Sequence, residues 1–285
     1  MLQPQKRPVA GPPAWAVPDW PGQAKEQTVQ QMFTSIARFY DLNNSLLSFG
    51  LHHRWKHTAI EHLTAPPAGA CGVRSDESFR TPFGQDLTAE EASGGAEPRY
   101  ILDVGAGTGD LALLVEKRLG QQGHVVAVDL NAAMLRQGVR KIARRGLGHR
   151  IACLRATAER LGFRDASFDA VTTGFCIRNV GDLMQTFSEI RRVLKPGGRL
   201  VCLEFSRPVR AWLRALYDWY SLTLLPRIGT LVARDKTGVY RYLPDSIRTF
   251  PDQEALKDLL LKAGFRQVEY QNLSGGIVAI HVAVK

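Results

Sequence analysis

The stretch that decides the fold is Asp103-Val104-Gly105-Ala106-Gly107-Thr108-Gly109-Asp110, which follows the apolar run Tyr100-Ile101-Leu102. An apolar strand that passes through three alternating glycines into a helix lets backbone amides approach a ligand closely, because glycine has no Cβ and a helix N-terminus attracts polar groups. A dinucleotide site reads GxGxxG, with the third glycine packing helix on strand. Here an acid precedes the first glycine and the pattern is DxGxGxG, a spacing that favours S-adenosylmethionine over a nicotinamide dinucleotide.

Downstream, Val125-Val126-Ala127-Val128 ends on Asp129, with Leu130 beside it. A carboxylate at the end of the second strand accepts ribose hydroxyls, a role shared with dinucleotide sites, so Asp129 marks a nucleoside without naming it. After the third strand, where methyltransferases of this fold carry an acidic or amide residue facing adenine, stand Thr157 and Ala158, a segment that taken alone reads equally as a loop with no ligand. Threonine is a poorer adenine partner than Asp or Asn, which leaves the backbone amide of Ala158 as the contact.

Around this motif strands and helices alternate. Strands are predicted at 99–104, 124–129, 151–155, 168–173 and 199–205, with helices from about 111 and over 132–142 and 183–194. This alternation argues for an α/β fold, a mostly parallel sheet covered by helices on both faces. Lys-Pro-Gly-Gly at 195–198 is expected to stop a helix. A last helix over 252–263, stopped by Gly264, precedes two strands at 265–272 and 276–284 that pair as an antiparallel hairpin.

The flanks read differently. Residues 1–24 carry six of the prolines and are a disordered lead-in; 25–63 form a helical cap interrupted by a turn at 40–44; 64–98 are a low-complexity insertion; 99–285 are the main domain, with a Tyr-, Trp- and Arg-rich substrate-side insertion at about 207–250. Cys71, Cys153, Cys176 and Cys202 make no CxxC pair, so a disulfide framework is not expected and a reducing, cytoplasmic setting is. No apolar run approaches the roughly 20 residues of a membrane span. The net charge of +10 suits nucleic acid or an anionic membrane, without choosing between them.

Several stretches resemble the UbiE/MenG family of C-methyltransferases of menaquinone and ubiquinone biosynthesis. They are Tyr-Asp-Leu-Asn-Asn at 40–44 with Leu-Ser-Phe-Gly-Leu-His at 47–52 and Trp55-Lys56, Phe-Cys-Ile-Arg-Asn-Val at 175–180, Leu-Lys-Pro-Gly-Gly-Arg-Leu at 194–200 and Glu-Phe-Ser-Arg-Pro at 204–208. Further on come Leu-Pro-Arg-Ile-Gly at 225–229, Tyr-Arg-Tyr-Leu-Pro-Asp-Ser-Ile-Arg at 240–248 and Asn-Leu-Ser-Gly-Gly-Ile-Val-Ala-Ile-His at 272–281. The resemblance implies a class I S-adenosylmethionine-dependent methyltransferase, Rossmann-like, with a seven-stranded sheet whose last strand is antiparallel. It also implies methylation of a ring carbon of a polyprenyl quinol, foremost demethylmenaquinol to menaquinol, with the benzoquinol step of ubiquinone synthesis as a second substrate.

Carried onto this chain, the cofactor contacts of the family fall on Ala112, Asp129, Thr157 with Ala158, and Gly174, beside Asp103, Gly105, Gly107, Gly109 and Leu130 of the motif region. Ala112 stands where threonine is usual, Thr157 where asparagine is, and Gly174 where serine is common, each change shortening or removing a polar side chain. A quinol carbon becomes nucleophilic when an ortho hydroxyl loses its proton, so the site must stabilise a phenolate and accept a proton. Arg178 and Asn179, after the fourth strand at the carboxyl edge of the sheet, suit the phenolate. Tyr40 and Asp41 are candidates for substrate contact or proton transfer, with helix capping an equal alternative for Asp41. Tyr217, Tyr220, Pro226, Arg227, Tyr240, Tyr242 and Arg248 are candidates for shaping the ring pocket.

No metal is expected: the reaction needs none, and His53 and His57 lack a third ligand. The expected partners are a polyprenyl quinol and an anionic membrane met through Arg210, Arg214 and Arg227 near Trp212 and Trp219, giving a cytoplasmic protein peripheral on the inner face of the membrane. A homodimer or a quinone-synthesis assembly is the expected oligomeric setting. An RNA methyltransferase is the competing enzyme class, but no RRM, KH or OB signature and no Asn-Pro-Pro-Tyr motif is present, so nucleic acid is not expected as a partner. A noncatalytic cofactor-binding subunit is the other alternative, motivated by the shortened side chains at 112, 157 and 174.

Overall fold

The computed structural model describes residues 22–63, 79–80, 86–87, 99–120, 123–224, 227 and 239–285. Most of the lead-in and of the 64–98 insertion lies outside the described residues, as do Pro226 and the side chain of Tyr240.

Strands β1 (Tyr100–Val104), β2 (His124–Asp129), β3 (Ile151–Arg155), β4 (Phe168–Gly174), β5 (Leu194–Phe205), β6 (Arg266–Leu273) and β7 (Val278–Val284) form one sheet in the order β3-β2-β1-β4-β5-β7-β6. The first five run parallel and β7 runs antiparallel to both β5 and β6. The central strands read as unbroken apolar runs because both faces are covered: every residue of β1 is buried. Helices α6 (Leu183–Val193) and α9 (Gln253–Lys262) send Phe187, Ile190, Leu256 and Leu260 into one core layer. On the other face α3 (Leu51–Glu61), α4 (Asp110–Leu119) and α5 (Ala132–Arg144) contribute Trp55, Ile60, Leu111, Val115 and Ile142.

Capping holds the helices at the carboxyl edge of the sheet. Asn131 accepts from the amides of Ala133 and Met134 at the start of α5, Asp182 from Gln185 at the start of α6, and Asp252 from Ala255 at the start of α9. Since β1 leads outward to β2 on one side while β4 continues on the other, the crevice for a ligand opens over the carboxyl ends of β1 and β4.

Two sequence expectations change. The turn expected at 40–44 is the opening of helix α2 (Tyr40–Leu47); the breaks fall around it, at 37–39 and 48–50, where Gly50 adopts a φ of 74°. Tertiary partners overrode the local turn chemistry, because Asp41 bonds to the main domain and so does not compete for its own backbone. Likewise β5 begins at Leu194 rather than at 199, and residues 195–198 are taken up as an irregularity between the pairs Phe168↔Leu194 and Ala170↔Arg199. The described part of the 207–250 region is mostly helical: α7 (Ala211–Trp219), a π turn (Tyr220–Leu224) and α8 (Val239–Thr249).

Candidate functional site

The glycine turn is shaped from both sides. Gly105, Gly107 and Gly109 have φ of 69°, 56° and 78°, the left-handed region that disfavours side chains. A Cβ on Gly105 would lie 2.4 Å from the Cβ of Cys176, so no larger residue fits there. Gly138, inside α5, would bring a Cβ to 3.2 Å from the carbonyl carbon of Thr108; its absence lets α5 press against the turn.

Asp129 closes the turn from the second strand. Its Oδ2 accepts from the amide of Gly107 at 2.8 Å and its Oδ1 from that of Asn131 at 2.7 Å. Burial raises its pKa, and the two amide bonds oppose that rise. A carboxylate has about four lone-pair sites, so it retains acceptor capacity on the side that faces the cleft. The cleft, about 760 Å³, is lined by Gly105, Gly107, Asp129, Leu130, Thr157, Ala158 and Gly174 together with Asn179. Met134 and, from helix α1 (Gly22–Ile36), Val29, Gln30 and Phe33 complete its walls.

Three residues expected to touch the cofactor lie elsewhere. Asp103 is 1% exposed beneath the turn, where it accepts from Thr172 Oγ at 2.9 Å across to β4; burial pushes its pKa up to about 7. Gly109 caps α4 and would set a Cβ 3.5 Å from Gly138, a packing role. Ala112 faces the core and is fully buried, so the threonine that the family pattern puts there has no counterpart in the cleft wall.

Above the cleft the N-terminal helices are pinned by charge. Lys56 meets Asp110 at 3.0 Å, Lys141 bridges Asp110 at 2.5 Å and Asp41 at 2.6 Å, and Thr108 Oγ donates to Asp41 at 2.6 Å. Burial opposes ionisation of Asp110, but the two lysines hold its carboxyl well below the usual range. Asn131 Nδ2 donates to Gln30 O and Thr34 Oγ, both at 2.9 Å, which ties α1 to the edge of the cleft. Asp41 is thus neither a helix cap nor a base exposed to the cleft; it joins the cap to the glycine turn.

A second cavity, about 1430 Å³ and mostly apolar, adjoins the first through the shared residues Phe33, Tyr40 and Phe175. Phe175, at a φ of 57°, is a strained non-glycine residue between the rings of Trp55 (6.2 Å) and Phe205 (4.8 Å). Arg178 lies in this chamber, buried. Its Nη1 meets Glu204 Oε1 and Phe175 O, each at 2.7 Å, and its guanidinium stands 5.2 Å from the ring centre of Phe205. Desolvation disfavours the charge, yet Glu204 together with Tyr40 and Tyr242 outweighs it and the pKa is raised, so Arg178 remains a cation. Asn179 lines the first cleft and accepts from the Tyr242 hydroxyl at 3.0 Å. Burial pushes the Tyr40 and Tyr242 hydroxyls up to about 12.

Of the aromatic candidates in 207–250, Tyr217, Tyr220 and Tyr242 line the chamber, while Arg248 lines a neighbouring polar recess. His53 and His57 are exposed on α3. Sequence reasoning missed Glu204, whose value lies only in its pairing with Arg178, and the α1 residues, whose helical spacing signals an apolar face without saying what it covers. Exposed apolar side chains stand on the elements that line the chamber: Leu42, Leu46 and Phe49 (78% exposed) on and after α2, and Trp212 (63%), Leu216 and Trp219 on α7. No residue of α7 is buried, and Arg210 and Arg214 stand exposed beside these tryptophans. Among the described residues no helix is long and apolar enough to cross a membrane.

The model of the ubiE/COQ5 methyltransferase family matches residues 22–75 and 83–285. Ubiquinone/menaquinone biosynthesis C-methyltransferases from Legionella pneumophila (strain Paris) and Coxiella burnetii (strain Dugway 5J108-111) are 41% and 42% identical, covering 94% and 93% of this chain and 94% of each relative. Among solved structures, a SAM-dependent methyltransferase from Thermotoga maritima superposes with a TM-score of 0.56 at 17% identity, over 92% of this chain and 99% of that one. At that identity the likeness concerns the fold alone.

Proposed function

The chain belongs to the ubiE/COQ5 methyltransferase family, as an S-adenosylmethionine-dependent C-methyltransferase of quinone biosynthesis, and from that premise we propose that it methylates demethylmenaquinol and, secondarily, the benzoquinol intermediate of ubiquinone synthesis. The observation that carries this reading is a buried cation, Arg178, set among aromatic rings in a chamber that shares three walls with the nucleoside cleft.

The residues of the cleft fit the cofactor. Asp129 would take the ribose hydroxyls, Leu130, Met134 and the Ala158 amide would hold the adenine, and the turn at Gly105 and Gly107 would receive the amino-acid end. Bound there, S-adenosylmethionine supplies an electrophilic methyl group.

On the acceptor side, Phe175, Phe205 and Trp55, packed on one another with ring centres 4.8–6.4 Å apart, present an apolar wall to an aromatic ring. Arg178 stabilises the phenolate, and in a low-dielectric chamber this effect is much larger than in water. Glu204 and Phe175 O fix the guanidinium, so little reorganisation is needed when charge develops. Tyr242 holds the Asn179 carbonyl oxygen, which leaves the amide nitrogen of this cleft-lining residue to serve as a donor. Tyr40, at the junction of both cavities, remains protonated and serves as a donor to the ring oxygen.

The exposed apolar rim with Arg210 and Arg214 supports docking on an anionic bilayer, from which a polyprenyl quinol enters the chamber. Incubation with labelled S-adenosylmethionine and each quinol in turn tests the activity: transfer to a ring carbon of demethylmenaquinol is expected, and transfer to neither quinol would sink the reading.

A further inference from the structure

The proposed chemistry needs a proton acceptor, and the chamber narrows the choice. Among the described residues that line it no carboxylate is found; Arg178 is a cation and has no acceptor, and burial keeps Tyr40, Tyr217 and Tyr242 protonated. His52, on α3, also lines the chamber and is 3% exposed. Its Nε2 lies 3.0 Å from Ser45 Oγ, whereas its Nδ1 is buried with no hydrogen-bond partner among the described residues. A buried polar atom in that condition is destabilising until something bonds to it, and a substrate hydroxyl brought against Nδ1 would meet that need.

We propose that His52 accepts the quinol hydroxyl proton on Nδ1, an inference that rests on the quinol reading of the chamber. In the tautomer that donates Nε2–H to Ser45, Nδ1 carries the lone pair. The O–H pair stays on oxygen as phenolate while the proton moves to Nδ1. The ring carbon then bonds the methyl group, and the S–C pair remains on sulfur. Loss of the proton on that carbon to water restores the aromatic phenolate, which takes its hydroxyl proton back from His52; one proton is released per methyl transferred.

The electrostatic setting agrees. Burial, helped by Lys56 and His53 and opposed by Asp110 and Asp41, lowers the imidazole pKa to about 4. His52 is therefore neutral before the substrate arrives, and a phenolate formed against it favours the imidazolium.

The test compares wild type with His52→Asn, which keeps an acceptor but is not a base, by turnover of demethylmenaquinol between pH 6 and 9 and by titration with S-adenosylmethionine. The expected result is kcat lower by about 100-fold with cofactor affinity unchanged, and a remaining rate that climbs with pH where wild type is flat. A halogenated quinol with a more acidic hydroxyl should narrow the gap. A rate loss equal at every pH and for both quinols, or no loss, overturns the role of His52 alone. Wild type inactive on every quinol overturns the quinol reading and this inference with it.

Discussion

The two cavities that meet at Tyr40 and Phe175 are built by different rules. The cleft proposed for the cofactor takes most of its wall from four strand ends within residues 104–181, and what it offers is backbone amides and one carboxylate. The acceptor chamber gathers side chains from residues 33–55, 175–205 and 213–277, and holds a charged pair with almost no access to water. A backbone-built site tolerates shortened side chains such as Thr157 and Gly174, since its donors are present at any residue. A side-chain-built site does not, because each group is held by another that comes from far away in the chain.

The largest effect expected from this difference lies at Arg178. Arg178→Ala should lower kcat by about 10²–10³ while S-adenosylmethionine binding measured by calorimetry is unchanged. The same change leaves Glu204 buried without its partner, which costs about 3–5 kcal/mol of stability. Arg178→Ala combined with Glu204→Gln should recover much of the melting temperature and none of the turnover. Recovery of turnover as well would mean that the pair is structural only.

Asp129→Ala comes next and acts on the other cavity. It removes an acceptor from the ribose and from the amides of Gly107 and Asn131, so affinity for S-adenosylmethionine should fall about 100-fold, at 1.5–3 kcal/mol for each charge-assisted bond. Unchanged affinity in the titration would show that Asp129 serves only to brace the turn.

These contrasts also decide what was legible beforehand. The sheet, the glycine turn and Asp129 could be read from the chain because strand periodicity and the spacing of glycines are local signals. Arg178 and Asn179 were visible as residues after a strand, but Glu204 and Tyr242, which orient them, sit 26 and 63 positions away and carry no local mark. Asp41 misled for the same reason: its position near a helix start suggested a cap, while its partners Thr108 and Lys141 are brought to it only by folding. Asp103, first in the DxGxGxG pattern, looked like a ligand; the register of β1 against β4 turns it inward onto Thr172 instead.

Asp103 gives a third test, of the turn's foundation. Its pKa near 7 is above the ordinary carboxylate value, so the folded state holds a proton that the unfolded state releases. The associated stability is fully present below about pH 4 and is lost as pH rises through 7, by at most about 1.4 kcal/mol per pH unit. Asp103→Asn should flatten the pH dependence of the melting temperature between pH 4 and 7; an unchanged slope would place the proton elsewhere.

The smallest effect belongs to the rim, where the chamber differs from the cleft in opening among apolar residues. Trp212 and Trp219 are more than half exposed and have Arg210 and Arg214 beside them, an arrangement that gains when the rings enter a headgroup layer and the guanidinium groups meet anionic lipid. Replacing both tryptophans by serine should lower binding to vesicles containing phosphatidylserine roughly tenfold, about 1.4 kcal/mol. Turnover of a short-tailed, water-soluble quinol should stay the same, because neither tryptophan lines the chamber. Raised salt should weaken wild-type binding, and sedimentation with vesicles that ignores both salt and lipid charge would detach the rim from the membrane. A loss of turnover on the short-tailed quinol would instead join the rim to the chamber as part of its wall, and the two cavities would then differ in depth rather than in what they open onto.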